Sequence, residues 1–378
     1  MSNEKYLGAD TPKLGFGFMR LPTLPGGTDK DIDLEQVRKM VDLFMERGYT
    51  YFDTAYMYHG GMSEEAVRQA VVERYPRERF TVTDKMPVWN IKAPEDYEEI
   101  FQTQLKRTGL EYFDYYFLHG ISEEKLDMID STGGWDYMKK LKERGLVRHI
   151  GFSFHSPAAC LDRILTEHPE MELVQLQINY ADWDSDTVQA GACYETARKH
   201  NVPVTIMEPI RGGALAAMHP DAAQVIKDYA PDSTAAYWAL RFCASLDGLI
   251  TILSGMSSLE QVDENTRVMA SMQPLEEADR QMLSRVMEKL NALPTIPCTG
   301  CKYCITNCPK NIPTPEIIHL LNEYTKYQNL AGARRSYAME TRDGGRASDC
   351  VECRSCEEHC PQHLKITELL KKAAATFE

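Results

Sequence analysis

Residues 33–58 read Asp-Leu-Glu-Gln-Val-Arg-Lys-Met-Val-Asp-Leu-Phe-Met-Glu-Arg-Gly-Tyr-Thr-Tyr-Phe-Asp-Thr-Ala-Tyr-Met-Tyr. Over Asp33–Arg47 the apolar residues Leu34, Val37, Val41, Leu43 and Phe44 fall on roughly one side of a helix. Gly48 follows, as a residue just past a helix end does. Tyr51–Ala55 then reads as a short buried strand. The same alternation recurs along the chain. Further strands are expected at Lys13–Phe18, Phe80–Lys85, Tyr112–His119, Arg148–Phe154, Leu173–Asn179, Val202–Glu208 and Leu249–Ser254. Ser63–Arg74, Pro94–Arg107 and Trp135–Arg144 read as helices between them. Eight strands alternating with helices predict an α/β fold, a (β/α)₈ barrel.

The barrel is expected over residues 1–293, where Pro294 and Pro297 bracket a linker. Residues 294–378 then form a second, smaller domain. Its cysteines fall in two identical runs. Cys298, Cys301, Cys304 and Cys308 precede Pro309, and Cys350, Cys353, Cys356 and Cys360 precede Pro361. Each run reads C-x2-C-x2-C-x3-C-P, which resembles the bacterial ferredoxin pattern for [4Fe-4S] clusters. Zinc would also use four thiolates, but zinc sites usually arrive as separated C-x2-C pairs. The ferredoxin resemblance implies two clusters with crossed ligands. One takes Cys298, Cys301, Cys304 and Cys360; the other takes Cys350, Cys353, Cys356 and Cys308. The segment Lys310–Asp349 between the runs carries a helix over Pro315–Gln328 and a polar loop near Asp343–Arg346. Cys160, Cys193 and Cys243 stand apart and read as packing residues.

The formal net charge is −14 over 378 residues. Such a surface repels nucleic acid and anionic membranes, so neither is expected as a partner. From Ile296 onward 11 Lys and Arg face 10 Asp and Glu, so the acidic excess lies in the barrel. The opening Met-Ser-Asn-Glu-Lys has no apolar signal segment, and no stretch is apolar enough to span a bilayer. The expected location is the cytoplasm.

Barrel chemistry sits at the C-terminal ends of the strands. There the chain places Asp53, Tyr56 and Tyr58 after the second strand, Lys85 after the third and His119 after the fourth. Carbonyl reduction needs a proton at oxygen, and a phenol is a weak acid with an unperturbed pKa of about 10. A neighbouring ammonium lowers that value. Lys85 can supply the charge and Asp53 can hold Lys85. Tyr58 or Tyr56 would serve as general acid in reduction and base in oxidation, with His119 orienting the substrate oxygen.

Over roughly residues 6–290 the sequence resembles the aldo-keto reductase family, whose Asp-Tyr-Lys-His tetrad falls on Asp53, Tyr58, Lys85 and His119. The appended cysteine runs, and the stretch Met207–Gly213, resemble a subgroup with a ferredoxin-like C-terminus carrying two [4Fe-4S] clusters. The resemblance implies an oxidoreductase interconverting a carbonyl and an alcohol with NADPH or NADH. Cofactor contacts are implied at Met19, Ser153, Gln175, Glu208, Ser254, Gly255, Ser257, Gln261, Glu264 and Asn265. Substrate walls are expected from Tyr56, Trp89, Phe154 and Trp183. Phe154 stands where the family usually has an amide, and Gly255 and Gln261 stand where NADPH-specific relatives often carry cations. Arg20, Arg211, Gly212 and Gly213 lie on loops suited to phosphate or substrate, and Arg267 to a 2′-phosphate. A hydride carries two electrons and a cluster passes one, so a flavin is a further cofactor to consider. Two other readings remain open at this point. One is a reductase fed by a partner such as a ferredoxin, with flavin or another acceptor in the barrel. The other is an electron-transfer protein using the barrel as scaffold.

Overall fold

The computed structural model describes residues 7–306 and 308–378. The opening Met1–Lys5 read above lies outside them. The chain forms two compact units, Met1–Pro209 with Ala239–Leu275, and Ile210–Trp238 with Glu276–Glu378.

In the first unit eight parallel strands close into a barrel. They are β1 (Leu14–Gly17), β2 (Tyr51–Asp53), β3 (Thr81–Met86), β4 (Phe113–Ile121), β5 (Val147–Phe154), β6 (Leu173–Gln177), β7 (Val204–Met207) and β8 (Leu249–Ser254). Every strand pairs with its successor, and β1 pairs with β8. Three helices matter for the site: α1 (Leu34–Glu46), α2 (Ser63–Val67) and α3 (Pro94–Thr108).

The opening stretch explains how a helix meets the sheet. Asp33 caps α1 by accepting a hydrogen bond from the Gln36 N–H at 3.1 Å. Val37, Met40, Val41, Phe44 and Met45 are buried. Phe44 packs against Phe16 of β1 and Phe52 of β2, with ring centroids 5.5 and 5.6 Å apart. Burying each such side chain contributes about 1.5–3 kcal/mol. Gly48, at φ +86°, turns the chain back toward β2.

Side chains alternate across a strand, so Phe52 faces the helices while Tyr51 and Asp53 face inward. Across the interior, Gln175 of β6 donates to Asp53 of β2, which only inward-facing side chains can do. Register sets the neighbours: Asp53 lies opposite Thr83, and Ser153 opposite Gln175.

Several elements shift their ends by one or two residues from the sequence reading, β2 among them. Strand β2 ends at Asp53, two residues early; the Thr54 N–H still donates to the Thr83 carbonyl, while the Thr54 carbonyl accepts from Lys85 Nζ. The helix expected over Ser63–Arg74 runs through a wider π-turn at Arg68–Val72. The segment between the cysteine runs holds two helices, Thr314–Tyr327 and Leu330–Glu340.

The second unit has its own apolar core, in which Ile317, Leu321, Tyr337, Ile366, Leu370 and Phe377 are buried around Cys304 and Cys356.

Gly151 of β5 admits no side chain. A Cβ there would lie 2.2 Å from the carbonyl oxygen of Leu173 on β6. Gly151→Ala should cost about 1–3 kcal/mol by overpacking. It would appear as a lower thermal midpoint in circular dichroism; an unchanged midpoint would refute the clash.

Candidate functional site

The C-terminal ends of β2, β3 and β4 bring Asp53, Lys85 and His119 together with Tyr58 on the loop after β2. Lys85 is fully buried. Its Nζ donates to Asp53 Oδ1 at 2.6 Å and to the Thr54 carbonyl at 2.8 Å. It stands 3.4 Å from Tyr58 Oη. Gln175 Nε2 lies 3.4 Å from Asp53 Oδ2. The Tyr58 and His119 rings meet edge-on, with centroids 5.8 Å apart.

Burial opposes charge on every member of this group. It pushes the Asp53 carboxyl up, against the pull of Lys85. It pushes Lys85 down, but Asp53 and Tyr58 more than reverse this and hold the ammonium above its ordinary value. The 2.6 Å contact and the second acceptor on Lys85 are those of an ion pair. Tyr58 departs from the sequence expectation. Burial raises its phenol, and Lys85 offsets this only in part. His119 is driven well below the usual imidazole value, by burial first and then by Lys85, His155 and Lys125. It is therefore neutral at pH 7. Its Nδ1 is buried and has no hydrogen-bond partner among the described residues.

Sequence reasoning missed His59, whose ring fixes the Tyr58 loop from beneath. Its Nε2 accepts from the Leu21 N–H at 3.1 Å, so its Nδ1 carries the proton and donates to Asp29 O at 2.7 Å. His59 takes a φ of +53° to reach both. A histidine beside a tyrosine in a loop carries no pattern that reveals this.

The expected cofactor contacts lie at the ends of β1 and β5–β8. Ser153 Oγ accepts from the Gly120 N–H at 2.7 Å, which leaves its own O–H to donate. Gln175 gives one of its two amide hydrogens to Asp53 and keeps its carbonyl oxygen as an acceptor. Beyond β8, Asn265 donates to Ser254 Oγ at 3.0 Å, and the Ser257 N–H donates to Gln261 Oε1 at 2.7 Å. Ser257 Oγ donates to the Arg20 carbonyl at 2.6 Å. The Arg20 side chain packs where a Cβ on Gly255 would stand. The helix Leu259–Ala270 starts there, capped by Ser258, and a helix start suits phosphate. Met19 is half-exposed and Glu264 partly buried in the same unit.

Cations near this end are already paired. Arg20 bonds Glu208 at 3.0 Å and Arg267 bonds Asp263 at 3.1 Å. Arg211, in the second unit, pairs with Glu323 and stacks on Tyr327, while the Gly212 carbonyl accepts from Asn329.

Of the four expected substrate walls, Trp89 reaches the tetrad, its ring centroid 5.0 Å from that of His119. Tyr56 is covered by the Arg107 guanidinium at 4.5 Å. Phe154 is buried edge-on to Phe152, and Trp183 packs on Tyr194 and Phe242.

The two cysteine loops fold alike. Positive φ recurs at equivalent positions: Gly300 and Glu352, Lys302 and Arg354, Asn311 and His363. Short helices Tyr303–Thr306 and Ser355–Glu358 also correspond. Non-glycine residues in this region are costly and persist where their surroundings fix them. The runs are interleaved in space. Cys308 of the first run lines one cavity with Cys350, Cys353 and Cys356 of the second. Cys360 lies close enough to Cys304 to act on its charge, together with Cys298 and Cys301. Burial, with these thiols, pushes Cys304 up to about 11; burial, then Glu357 and Cys350, push Cys356 up to about 11. Four thiols around an apolar-walled cavity are a donor set that suits an iron–sulfur cluster.

Residues 13–288 match the model of the aldo/keto reductase family, and residues 297–364 match that of the 4Fe-4S dicluster domain. The chain belongs to the aldo/keto reductase family and carries a ferredoxin-type iron–sulfur domain after its barrel. It is 30% identical over 187 residues to the probable aldo-keto reductase 1 of Glycine max, covering 47% of this chain and 51% of that protein. It is 30% identical to the 9,11-endoperoxide prostaglandin H2 reductase of Trypanosoma cruzi, covering 52% and 64%. The chain thus spans about half to two thirds of these relatives. Among solved structures, an aldo-keto reductase from Klebsiella pneumoniae in complex with NADPH superposes with a TM-score of 0.59 at 21% identity, over 76% of this chain and 96% of that one. The holo form of AKR11C1 from Bacillus halodurans gives 0.58 at 23%, over 72% and 91%. At these identities the likeness is one of fold. No helix among the described residues is long and apolar enough to cross a membrane.

Lys85→Met would leave Asp53 buried and unpaired, at a cost of about 3–5 kcal/mol. The double variant Lys85→Met/Asp53→Leu should recover most of that loss. Thermal midpoints of the three proteins measure this, and a double variant no better than the single one would refute it.

Proposed function

We propose that this protein interconverts a small carbonyl compound and its alcohol using NADPH or NADH, and that two [4Fe-4S] clusters exchange electrons with a second cofactor or a redox partner such as a ferredoxin. The observation that carries the first half is Lys85 Nζ, held by Asp53 at 2.6 Å and standing 3.4 Å from Tyr58 Oη. On this reading the barrel comprises residues 1–293 and the cluster domain 294–378.

When bound, the nicotinamide supplies the hydride for the carbonyl carbon. Ser153 and Gln175 retain the donor and acceptor that hold a carboxamide, and the segment Ser254–Asn265 would take the nucleotide end. Tyr58 gives its Oη proton to the carbonyl oxygen. Its raised value keeps the phenol protonated at neutral pH, which suits an acid in reduction. Lys85 stabilises the phenolate left behind, and the Thr54 carbonyl and Asp53 hold Lys85 in place. His119 is neutral, and a buried N–H without a partner costs more than a buried lone pair. The proton therefore belongs on Nε2, where it can bond the same substrate oxygen.

The clusters take the crossed ligands. Their support is the placement of Cys308 with the second run and Cys360 with the first.

Tyr58→Phe should lower kcat for carbonyl reduction by about 10²–10⁴-fold with iron content unchanged. Turnover equal to wild type would end the tetrad assignment. For the clusters, a variant lacking Cys350, Cys353 and Cys356 should retain one cluster by iron analysis and visible absorption. Adding Cys360→Ser should remove it, and adding Cys308→Ser should not. The opposite pattern would give each run its own fourth cysteine.

A further inference from the structure

Strand β2 ends at Asp53, paired with Thr83 of β3. Two residues on, Lys85 therefore has no β2 neighbour for the backbone groups it turns to that side. Side chains from the layer between barrel and helices replace the missing strand. Asp84 Oδ1 accepts the Lys85 N–H at 2.8 Å, and Gln104 Nε2 of α3 donates to the Lys85 carbonyl at 3.0 Å. Gln104 is itself fixed by the Tyr116 hydroxyl, which donates to its Oε1.

Asp84 is fully buried, and so is Glu64 of α2. Glu64 Oε2 accepts from Arg107 Nη1 of α3 at 2.9 Å. The two carboxyls lie within hydrogen-bonding reach of each other. Their remaining oxygens, Asp84 Oδ2 and Glu64 Oε1, are buried and accept from no donor among the described residues. Two bare carboxylates in a dry layer would repel, and each would keep an unpaired lone pair. One proton between them removes both costs. Arg107 stabilises charge on Glu64, whereas Asp84 has a single backbone N–H, so the proton belongs on Asp84.

We propose that Asp84 is a protonated acid donating to Glu64, and that this pair, with Arg107 and Gln104, is a positioning unit for Lys85 and the Tyr58 loop. Burial, and then the charge on Glu64, lift Asp84 well above the usual carboxylate range, in accord with that placement. The unit reaches the loop through Arg107, whose guanidinium covers the Tyr56 ring at 4.5 Å and approaches the Tyr56 carbonyl at 3.5 Å. A single buried layer thus grips the strand that carries the ammonium and the loop that carries the phenol. Neither Asp84 nor Glu64 is placed in contact with substrate, so both act through Lys85 and Tyr58. The positioning half rests on the tetrad reading; the proton does not.

The test uses the full-length, cluster-loaded protein. Infrared spectra of wild type and Asp84→Asn are compared at neutral pH. A protonated-carboxyl C=O band present in wild type and missing from the variant is expected. Absence of any such difference would show Asp84 ionised and overturn the shared proton. Carbonyl turnover is then measured in Asp84→Ala and Asp84→Asn. Asp84→Ala removes the acceptor for Lys85, and kcat should fall about tenfold or more with KM within about threefold. Asp84→Asn keeps an acceptor and offers an amide N–H to Glu64, so it should restore kcat to within about threefold of wild type. Wild-type kcat in Asp84→Ala, or Asp84→Asn as slow as Asp84→Ala, would overturn the positioning role. If wild type itself turned over no carbonyl compound, the tetrad reading and the positioning role would fall together. The infrared difference would still decide the proton.

Discussion

An ammonium group sits fully buried inside the barrel, and the surrounding structure is organised by its need for partners. Removing Lys85 from water costs several kcal/mol, and one carboxylate at 2.6 Å returns that only with further hydrogen bonds. The barrel supplies them. Asp53 comes from the neighbouring strand in register, the Thr54 carbonyl from the bend that ends that strand, and Gln175 steadies Asp53 from the far wall. Ion pairs of this kind add little to stability compared with well-packed apolar residues. Its retention in the middle of an apolar fold therefore points to chemistry at the open end of the barrel.

The pair also sets the electrostatics of its neighbours. A single positive charge in a dry pocket acts in opposite senses on a phenol and an imidazole. It pulls Tyr58 down against the stronger effect of burial, and it joins burial in pushing His119 down. The outcome is a protonated phenol beside a neutral imidazole, their rings edge-on. The simple expectation that an adjacent lysine makes a tyrosine acidic left out desolvation, which a sequence does not display.

Much of the fold could be read in advance because strand and helix periods differ. The strand β8 falls where the alternation placed it, and α1 and α3 fall within one residue of their expected bounds. The tetrad was legible for a related reason: barrel chemistry collects at strand ends, so a few positions carry most of the information. What stayed hidden was the layer behind it. Glu64 lies on a helix read only from its apolar residues, and Asp84 has an outward position by the strand alternation. Only the fold brings Arg107, 43 residues beyond Glu64 in the chain, against that glutamate. The helix Leu330–Glu340 was missed because its short sequence contains Gly332 and Ser336 and buries few side chains, chiefly Ala333 and Tyr337.

The cysteine loops show the same division between pattern and placement. Spacing alone indicated cluster chemistry, but the backbone shows that the two runs are one structural solution used twice, down to matched left-handed residues. In each loop the second cysteine, Cys301 or Cys353, is exposed, while the third, Cys304 or Cys356, is buried in the apolar core. A cluster held by these thiols would be packed against the apolar core on the side of Cys304 and Cys356. The packed side ties the fold of a small domain to metal binding, as expected where apolar burial alone is limited.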